Sequence, residues 1–340
     1  MKNVNITIKE IAKKSGYGIG TVSRALSDNP SLVKNETRLK ILKIAQEYGY
    51  VKNSNAQALV SGKTTDIGFV IPAVFGSPFY NDFSIKLISS ILNAVSIYGY
   101  KLRVLFLKEK AGFNEIMKEV RSLNLKGLII CPYSQTFYID EADIKKMGIP
   151  IVVLSKRVKG DNISSVILDD YRGGYDGTNF LLGLGHKKIA IIRGFRNDIE
   201  ERYKGYLAAH KDAGIAVNKD LVLQGTGMEL SGYEKTLELL NKGITPSAIF
   251  CLDDEMAIGA MRAIKEKKLK CPNDISILGF DGMEICNFTD PPLSTVNRPA
   301  VLMGQKAVDI LLGSSPPKSS LCVKVKAQIV PRASCMAVKK

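Results

Sequence analysis

From Asp66 onward, short apolar runs alternate with longer amphipathic stretches. The runs read DIGFVIP, KLRVLFL, GLIICP and IVVLS, and a second series follows with VILDD, KIAIIRG, AIFCLD and SILGFD. Strand-length runs separated by helix-length amphipathic segments specify βαβ units and a parallel sheet. Because the series occurs twice, the pattern predicts two similar α/β halves. In open sheets of this kind ligands bind beyond the carboxyl ends of the strands, and a cleft between two such halves is the natural pocket. The residues just past the runs are therefore the candidate ligand contacts. They are Ser77, Phe79, Tyr80, Lys156, Arg157 and Asp170, followed by Arg193, Arg202, Asp253 and Asp281. A carboxylate and a guanidinium that converge in a cleft suit hydroxyl-rich ligands, because both make charge-assisted bonds of fixed direction. The aromatics can cover the apolar face of a sugar ring.

No P-loop, HExxH, GxSxG or dinucleotide fingerprint follows any of these runs, so neither nucleotide chemistry nor nucleophilic catalysis is indicated. His186 and His210 are the only histidines, and the six cysteines are scattered without a CxxC pair. Zinc centres and histidine triads therefore have little material. The expectation is a chain with no catalytic residues, no metal and no cofactor.

The first 63 residues have a different texture. They carry nine lysines and two arginines against one aspartate and three glutamates, a large share of the net charge of +15. A compact basic end fits a polyanionic partner, since each phosphate it neutralises releases counterions. Within it, SGYGIGTVSRALS spaces Gly16, Gly18 and Gly20 two apart. A dinucleotide loop would follow a strand and would need its third glycine at position 21, where Thr21 stands. What precedes is instead helical: Thr7 and Glu10 form a capping box, and Ile8, Ile11, Ala12 and Ser15 share a face. Gly16 suits the left-handed position that ends this helix, and Val22, Ala25 and Leu26 resume the helical period after it. A third helix at about Asn35 to Glu47 carries Leu39, Leu42, Ile44 and Ala45. The result is a helix-turn-helix with a third helix, a small all-α unit.

Between the two textures, KNSNAQALVSGKT ends in GKT but lacks the P-loop glycine five residues before Gly62, where Gln57 stands. Capped by Asn53 or Ser54, this segment reads as a hinge helix too short to hold its form alone in water.

These residues resemble the LacI/GalR family of bacterial repressors. TIKEIAKKSGYGIGTVSRALS matches T-x-x-[DE]-[IV]-A-x-x-[AS]-G-V-S-x-x-T-V-S-R-x-L-N, followed by ETR and YGY at the family's spacing. Downstream, IGFVIPAVFGSPFY, LGHKKIAII, ERYKGYLAA, FCLDDEMAIGAMRAI and ISILGFD match further family stretches, so the likeness covers nearly the whole chain. The resemblance implies that Ile19, Gly20 and Arg24 face base edges in the major groove, with Thr21 and Ser23 on backbone phosphates. Arg24 suits this role as a bidentate donor to guanine. Gly20 has no side chain with which to bond a base, and Gly18 replaces the usual capping serine, so direct readout is expected to be sparse. Leu59 takes the place of the leucine that wedges into the minor groove, and Gln57 a position where arginine is frequent.

The resemblance further implies effector contacts from Arg202, Asp281 and Asp253. Lys156 stands where many sugar-binding members have aspartate, which points toward an anionic effector such as a sugar phosphate. The implied fold is an all-α helix-turn-helix headpiece at 1–50, a hinge at 51–64, and a two-lobed periplasmic-binding-protein-like α/β domain at 65–340 with doubly wound parallel sheets. One lobe is expected at about 65–162 and 292–321, the other at about 163–291 and 322–340. The implied partners are a double-stranded DNA operator, a small-molecule effector (a sugar, a sugar phosphate or a similar metabolite) and a second copy in a homodimer. The start MKNVNITIKE shows no secretory apolar stretch, and no run approaches the roughly 18 residues of a membrane span. The expected location is the cytoplasm, with no membrane partner. A solute-binding protein would share the two lobes but would have no use for residues 7–48. An α/β enzyme acting on sugars would need a catalytic arrangement around Asp169 and Asp170 that the sequence does not show.

Overall fold

The structure, a computed structural model, describes residues 6–27, 33–50, 64–72, 82–107, 113–132, 147–158, 160, 163–194, 197–313 and 320–338. The chain divides into two compact units, 1–64 and 65–340. The hinge segment with Gln57 and Leu59, and the loop with Ser77, Phe79 and Tyr80, lie outside the described residues.

The small unit is built from α1 (Ile8–Ser15), α2 (Ile19–Ala25) and α3 (Asn35–Glu47). The capping box forms: the Thr7 amide donates to Glu10 Oε2 at 2.7 Å, and the Glu10 amide donates to Thr7 Oγ1 at 3.4 Å. Gly16 ends α1 at φ +75°, the left-handed conformation that an L side chain resists. Ile11, Ala12, Val22, Ala25, Ile41 and Ala45 form the core. The third helix differs from the sequence reading in its inward face. Ile41 and Ala45 point inward, with Arg38 Nε donating to the Ala25 carbonyl at 3.4 Å, while Leu39 and Leu42 are exposed. At 3.6 residues per turn, 41, 44 and 45 share a stripe that 39 and 42 do not.

The large unit contains two six-stranded sheets. Its elements are β1 (Asp66–Pro72), α4 (Asp82–Ile97), β2 (Lys101–Leu107), α5 (Phe113–Ser122), β3 (Gly127–Ile130), β4 (Ile151–Leu154), β5 (Ile163–Leu168), α6 (Asp170–Gly183), β6 (Ile189–Arg193), α7 (Asn197–Asp212), β7 (Val222–Gln224), α8 (Glu229–Asn241), β8 (Ala248–Cys251), α9 (Asp254–Glu266), β9 (Ser276–Asp281), β10 (Ser294–Asn297), α10 (Ala300–Leu312), β11 (Cys322–Val325) and β12 (Gln328–Val330). The orders are β11-β5-β4-β3-β1-β2 and β12-β10-β9-β8-β6-β7. Every pairing is parallel except β10 with β12. Apolar clusters lie on both faces of each sheet, so β3, β4, β8 and β9 are buried along their whole length.

The chain passes between the sheets three times, after β5, after β10 and after β11. This corrects the lobe boundaries expected from the sequence. β5 at 163–168 and β11 at 322–325 belong to the first sheet, where β4 pairs with β5 and β5 with β11. β10 at 294–297 belongs to the second, beside β9. Each crossing strand completes one sheet before the chain turns into the other, so the lobes exchange later than a division at 162 and 291 allows.

Candidate functional sites

In the small unit, Ile19, Gly20, Ser23 and Arg24 are exposed on α2, and Thr21 is half-buried beside them. Residues 19, 20, 23 and 24 fall on one face because i and i+4 are neighbours on a helix. Val22 and Ala25 fasten the opposite face to the core. A Cβ built on Gly20 would meet only the Arg24 Nη2, at 4.0 Å, so nothing crowds the start of this face. Gly18 caps α2 without a side-chain bond.

In the large unit, four predicted contacts converge. The Arg202 guanidinium, on α7, is fully buried and packs 3.6 Å from the Phe280 ring centroid. Its Nε donates to Asp170 Oδ1 at 2.9 Å, Nη1 to the Leu252 carbonyl at 2.7 Å, and Nη2 to Asp281 Oδ1 at 3.5 Å. Asp253 Oδ1 stands 4.0 Å from Nη1. Asp170 follows β5 of the first sheet, Asp253 follows β8 and Asp281 ends β9 of the second. The cluster therefore sits at the carboxyl ends of strands from both lobes.

Arg202 is placed there by glycines. A Cβ on Gly174 of α6 would lie 2.0 Å from the Arg202 carbonyl oxygen, so α6 and α7 touch only because that position is bare. Asp281 adopts φ +116°, a left-handed conformation that costs a non-glycine residue of order 1–3 kcal/mol and persists where its surroundings hold it. Its carbonyl accepts from the Arg298 amide at 3.1 Å, and its carboxylate faces Arg202.

Three residues that sequence reasoning passed over complete the site. Asp254 is fully buried: Thr295 Oγ1 donates to it at 2.6 Å and the Met283 amide at 2.8 Å, which ties the β9–β10 turn to the start of α9. Burial pushes its carboxyl up to about 6. Glu255 places a carboxylate oxygen within 4.8 Å of those of Asp253 and Asp281. Burial first, then repulsion from Asp281 and Asp253, pushes Glu255 up to about 8. Arg298, after β10, donates from Nη2 to Ser155 Oγ at 2.9 Å, stacks 3.6 Å over Phe83 and holds Nη1 4.0 Å from Asp281 Oδ1. The available signals were the acidic run DDE directly after AIFCL, and the arginine that ends the short β-branched run STVN.

Lys156 and Arg157 are exposed at the carboxyl end of β4. Arg193 turns to its own lobe, pairing with Glu200 and stacking 3.9 Å over Tyr203. His186 is structural, its Nε2 3.0 Å from the Met336 carbonyl oxygen. The lobes also meet through Lys86, which lies 2.7 Å from Asp82 and donates to the Gly282 carbonyl at 3.3 Å, and through the Glu284 amide, which donates to Asp82 at 3.1 Å. Among the described residues no helix is long and apolar enough to cross a membrane.

Residues 7–53 match the family of bacterial regulatory proteins, lacI family, and residues 178–335 match the periplasmic binding protein-like domain. The probable HTH-type transcriptional repressor ExuR of Bacillus subtilis is 31% identical over 312 residues, which cover 90% of this chain and 92% of that protein. The HTH-type transcriptional repressor PurR of Pasteurella multocida is 32% identical over 318 residues, 90% of each chain. The structure of the lac repressor dimer bound to operator and the anti-inducer ONPF superposes with a TM-score of 0.82 at 26% identity, covering 98% of this chain and 99% of that one. A matched helix-turn-helix, a matched receptor domain and full-length likeness to repressors together place this chain in the LacI family, as a DNA-binding transcriptional regulator and not an enzyme.

Proposed function

We propose that the protein is a cytoplasmic, homodimeric repressor whose hold on a near-palindromic operator is set by a small hydroxyl-rich metabolite, of the sugar class, bound between the lobes of the large unit. The exposed face of α2 carries this reading, since a basic helix-turn-helix that leaves Ile19, Gly20, Ser23 and Arg24 free offers them to a major groove. Arg24 reads a base edge, and Thr21 and Ser23 hold phosphates. Gln57 and Leu59 serve the minor groove, as the family pattern implies. In the receptor, Arg202, Asp170, Asp253 and Asp281 contact the effector. Ser77, Phe79, Tyr80, Lys156, Arg157 and Arg193 are further candidates around them. Twofold symmetry of the dimer requires a matching symmetry in the operator.

Support comes from the relatives: ExuR and PurR are named repressors, and the lac repressor was solved as an operator-bound dimer. The test is Arg24→Ala, measured by fluorescence anisotropy on a duplex enriched by the full chain from a random pool. Specific binding is expected to weaken by about 1–3 kcal/mol with relaxed preference at one base position. Identical affinities of parent and variant for enriched and scrambled duplexes would reject the role of α2.

A further inference from the structure

Resting on the reading of α2 as the helix that enters the major groove, we infer that Ile19 selects thymine there, through the C5 methyl group of that base. Ile19 is the first residue of α2 and is 48% exposed, whereas the other apolar residues of the helix, Val22 and Ala25, are wholly buried in the headpiece core. Its exposed neighbours on the same face, Gly20, Ser23 and Arg24, are bare or polar. A single exposed isoleucine is ordinary on a protein surface, so its meaning comes from what it must meet. On α2 that is a row of base edges.

The chemistry of those edges leaves one partner. In the major groove all four bases present donors or acceptors, and only thymine carries a methyl group beside them. The isoleucine side chain has neither donor nor acceptor. Over guanine, adenine or cytosine it strips water from polar atoms and returns no bond. Over thymine it covers the methyl group, and apolar surface leaves water on both sides of the contact. Residue 19 therefore discriminates by apolar fit, where Arg24 discriminates by hydrogen bonding.

Gly20 supplies an independent observation. Glycine suits a helix poorly, yet it takes the second position of α2, where a built Cβ would meet only Arg24 Nη2, at 4.0 Å. Core packing therefore does not call for it. The bare position leaves Ile19 unscreened by a neighbouring side chain. The Arg24 guanidinium lies over this same position, with no hydrogen-bond or ionic partner among the described residues. Since consecutive Cα atoms are about 3.8 Å apart, that guanidinium stands within about 9 Å of the Ile19 Cα. At about 3.4 Å per base pair this spans fewer than three steps, so the selected thymine and the guanine read by Arg24 lie within about three base pairs of each other.

The test starts from the duplex that the full chain enriches from a random pool. Its thymines are replaced one position at a time, in both half-sites together, by deoxyuridine, which removes the C5 methyl group and nothing else. One position, within about three base pairs of the guanine whose preference Arg24→Ala relaxes, is expected to weaken binding by about tenfold, read by fluorescence anisotropy. At that position 5-methylcytosine is expected to bind more tightly than cytosine. Ile19→Ala, which leaves the buried core untouched, is expected to bind the thymine and deoxyuridine duplexes equally, while Ile19→Val keeps the preference. The proposal is overturned if no thymine near that guanine is sensitive to its methyl group, if the sensitivity persists in Ile19→Ala, or if 5-methylcytosine gains nothing over cytosine. In each of those cases Arg24→Ala still relaxes its own base position, and the reading of α2 stands. If no duplex is enriched, or if Arg24→Ala changes no base preference, the reading of α2 falls and this proposal with it.

Discussion

The two units of the chain reach their structures by different routes. In the headpiece the decisive contacts are between near neighbours: Thr7 caps with Glu10, Gly16 turns the chain, and six buried side chains from three helices close the core. In the receptor the decisive contacts are between distant residues. Asp170, Arg202, Asp253, Asp281 and Arg298 are far apart in sequence and meet only because strands of the two sheets bring them together. Local grammar thus builds the surface proposed to read DNA, and long-range topology builds the cluster proposed to sense a ligand. A change in the first should act locally and modestly, whereas a change in the second should spread.

The largest effect is expected from Arg202→Met. Removing the guanidinium leaves Asp170, Asp253 and Asp281 facing one another in a buried site, and stripping one partner from such a network costs about 3–5 kcal/mol. Chemical denaturation should show it in the large unit. A loss below 1 kcal/mol would mean that the cluster is open to water and would weaken the contrast with the headpiece.

Next comes Gly174→Ala. A methyl placed 2.0 Å from the Arg202 carbonyl oxygen forces α6 and α7 apart, a cost of about 1–3 kcal/mol or more from overpacking. Arg202 would move with its helix, so effector affinity should fall together with melting temperature. A melting loss without an affinity loss would show that Arg202 is positioned by its carboxylates alone.

A third outcome concerns pH. Glu255 rises from about 4.5 to about 8 on folding, so the folded chain binds more protons in that window. Its contribution is fully present below the unfolded value and is lost as pH rises through the folded one. Stability of the large unit should therefore increase from pH 8 to pH 5, on the order of 1–3 kcal/mol, with Asp254 adding in the same direction up to about 6. In Glu255→Gln the slope between pH 6 and pH 8 should flatten. An unchanged slope would assign the effect to another group.

The smallest effect is expected in the headpiece. Thr7→Ala removes one side of the capping box and should lower headpiece stability by about 1 kcal/mol, read by hydrogen exchange of the α1 amides, with no change in receptor melting.

The same contrast explains what could be read from the amino-acid order. The helix boundaries of the headpiece and the strand–helix alternation of the receptor follow from spacing alone, because both depend on periodicity. The face of α3 did not: Leu39 and Leu42 are as apolar as Ile41, and only packing against α1 and α2 chose between them. Arg202, Asp253 and Asp281 were visible as residues past apolar runs, but nothing local shows that they share one guanidinium. Glu255 and Arg298 were hidden for the same reason, since the third acid in DDE resembles a helix-start charge and an arginine before proline resembles a loop. The exchange of β5, β10 and β11 between lobes is a property of pairing partners and has no local signature.

The account stands or falls on the link between sensing and reading. The direct measurement is the affinity of the full chain for its selected duplex, with and without a saturating metabolite found to raise the melting temperature of the large unit. The metabolite is expected to change that affinity by about 1–3 kcal/mol, and Asp281→Ala to abolish the change while leaving the ligand-free affinity intact. If no duplex is preferred, or if the bound metabolite leaves the affinity unchanged, the account is contradicted.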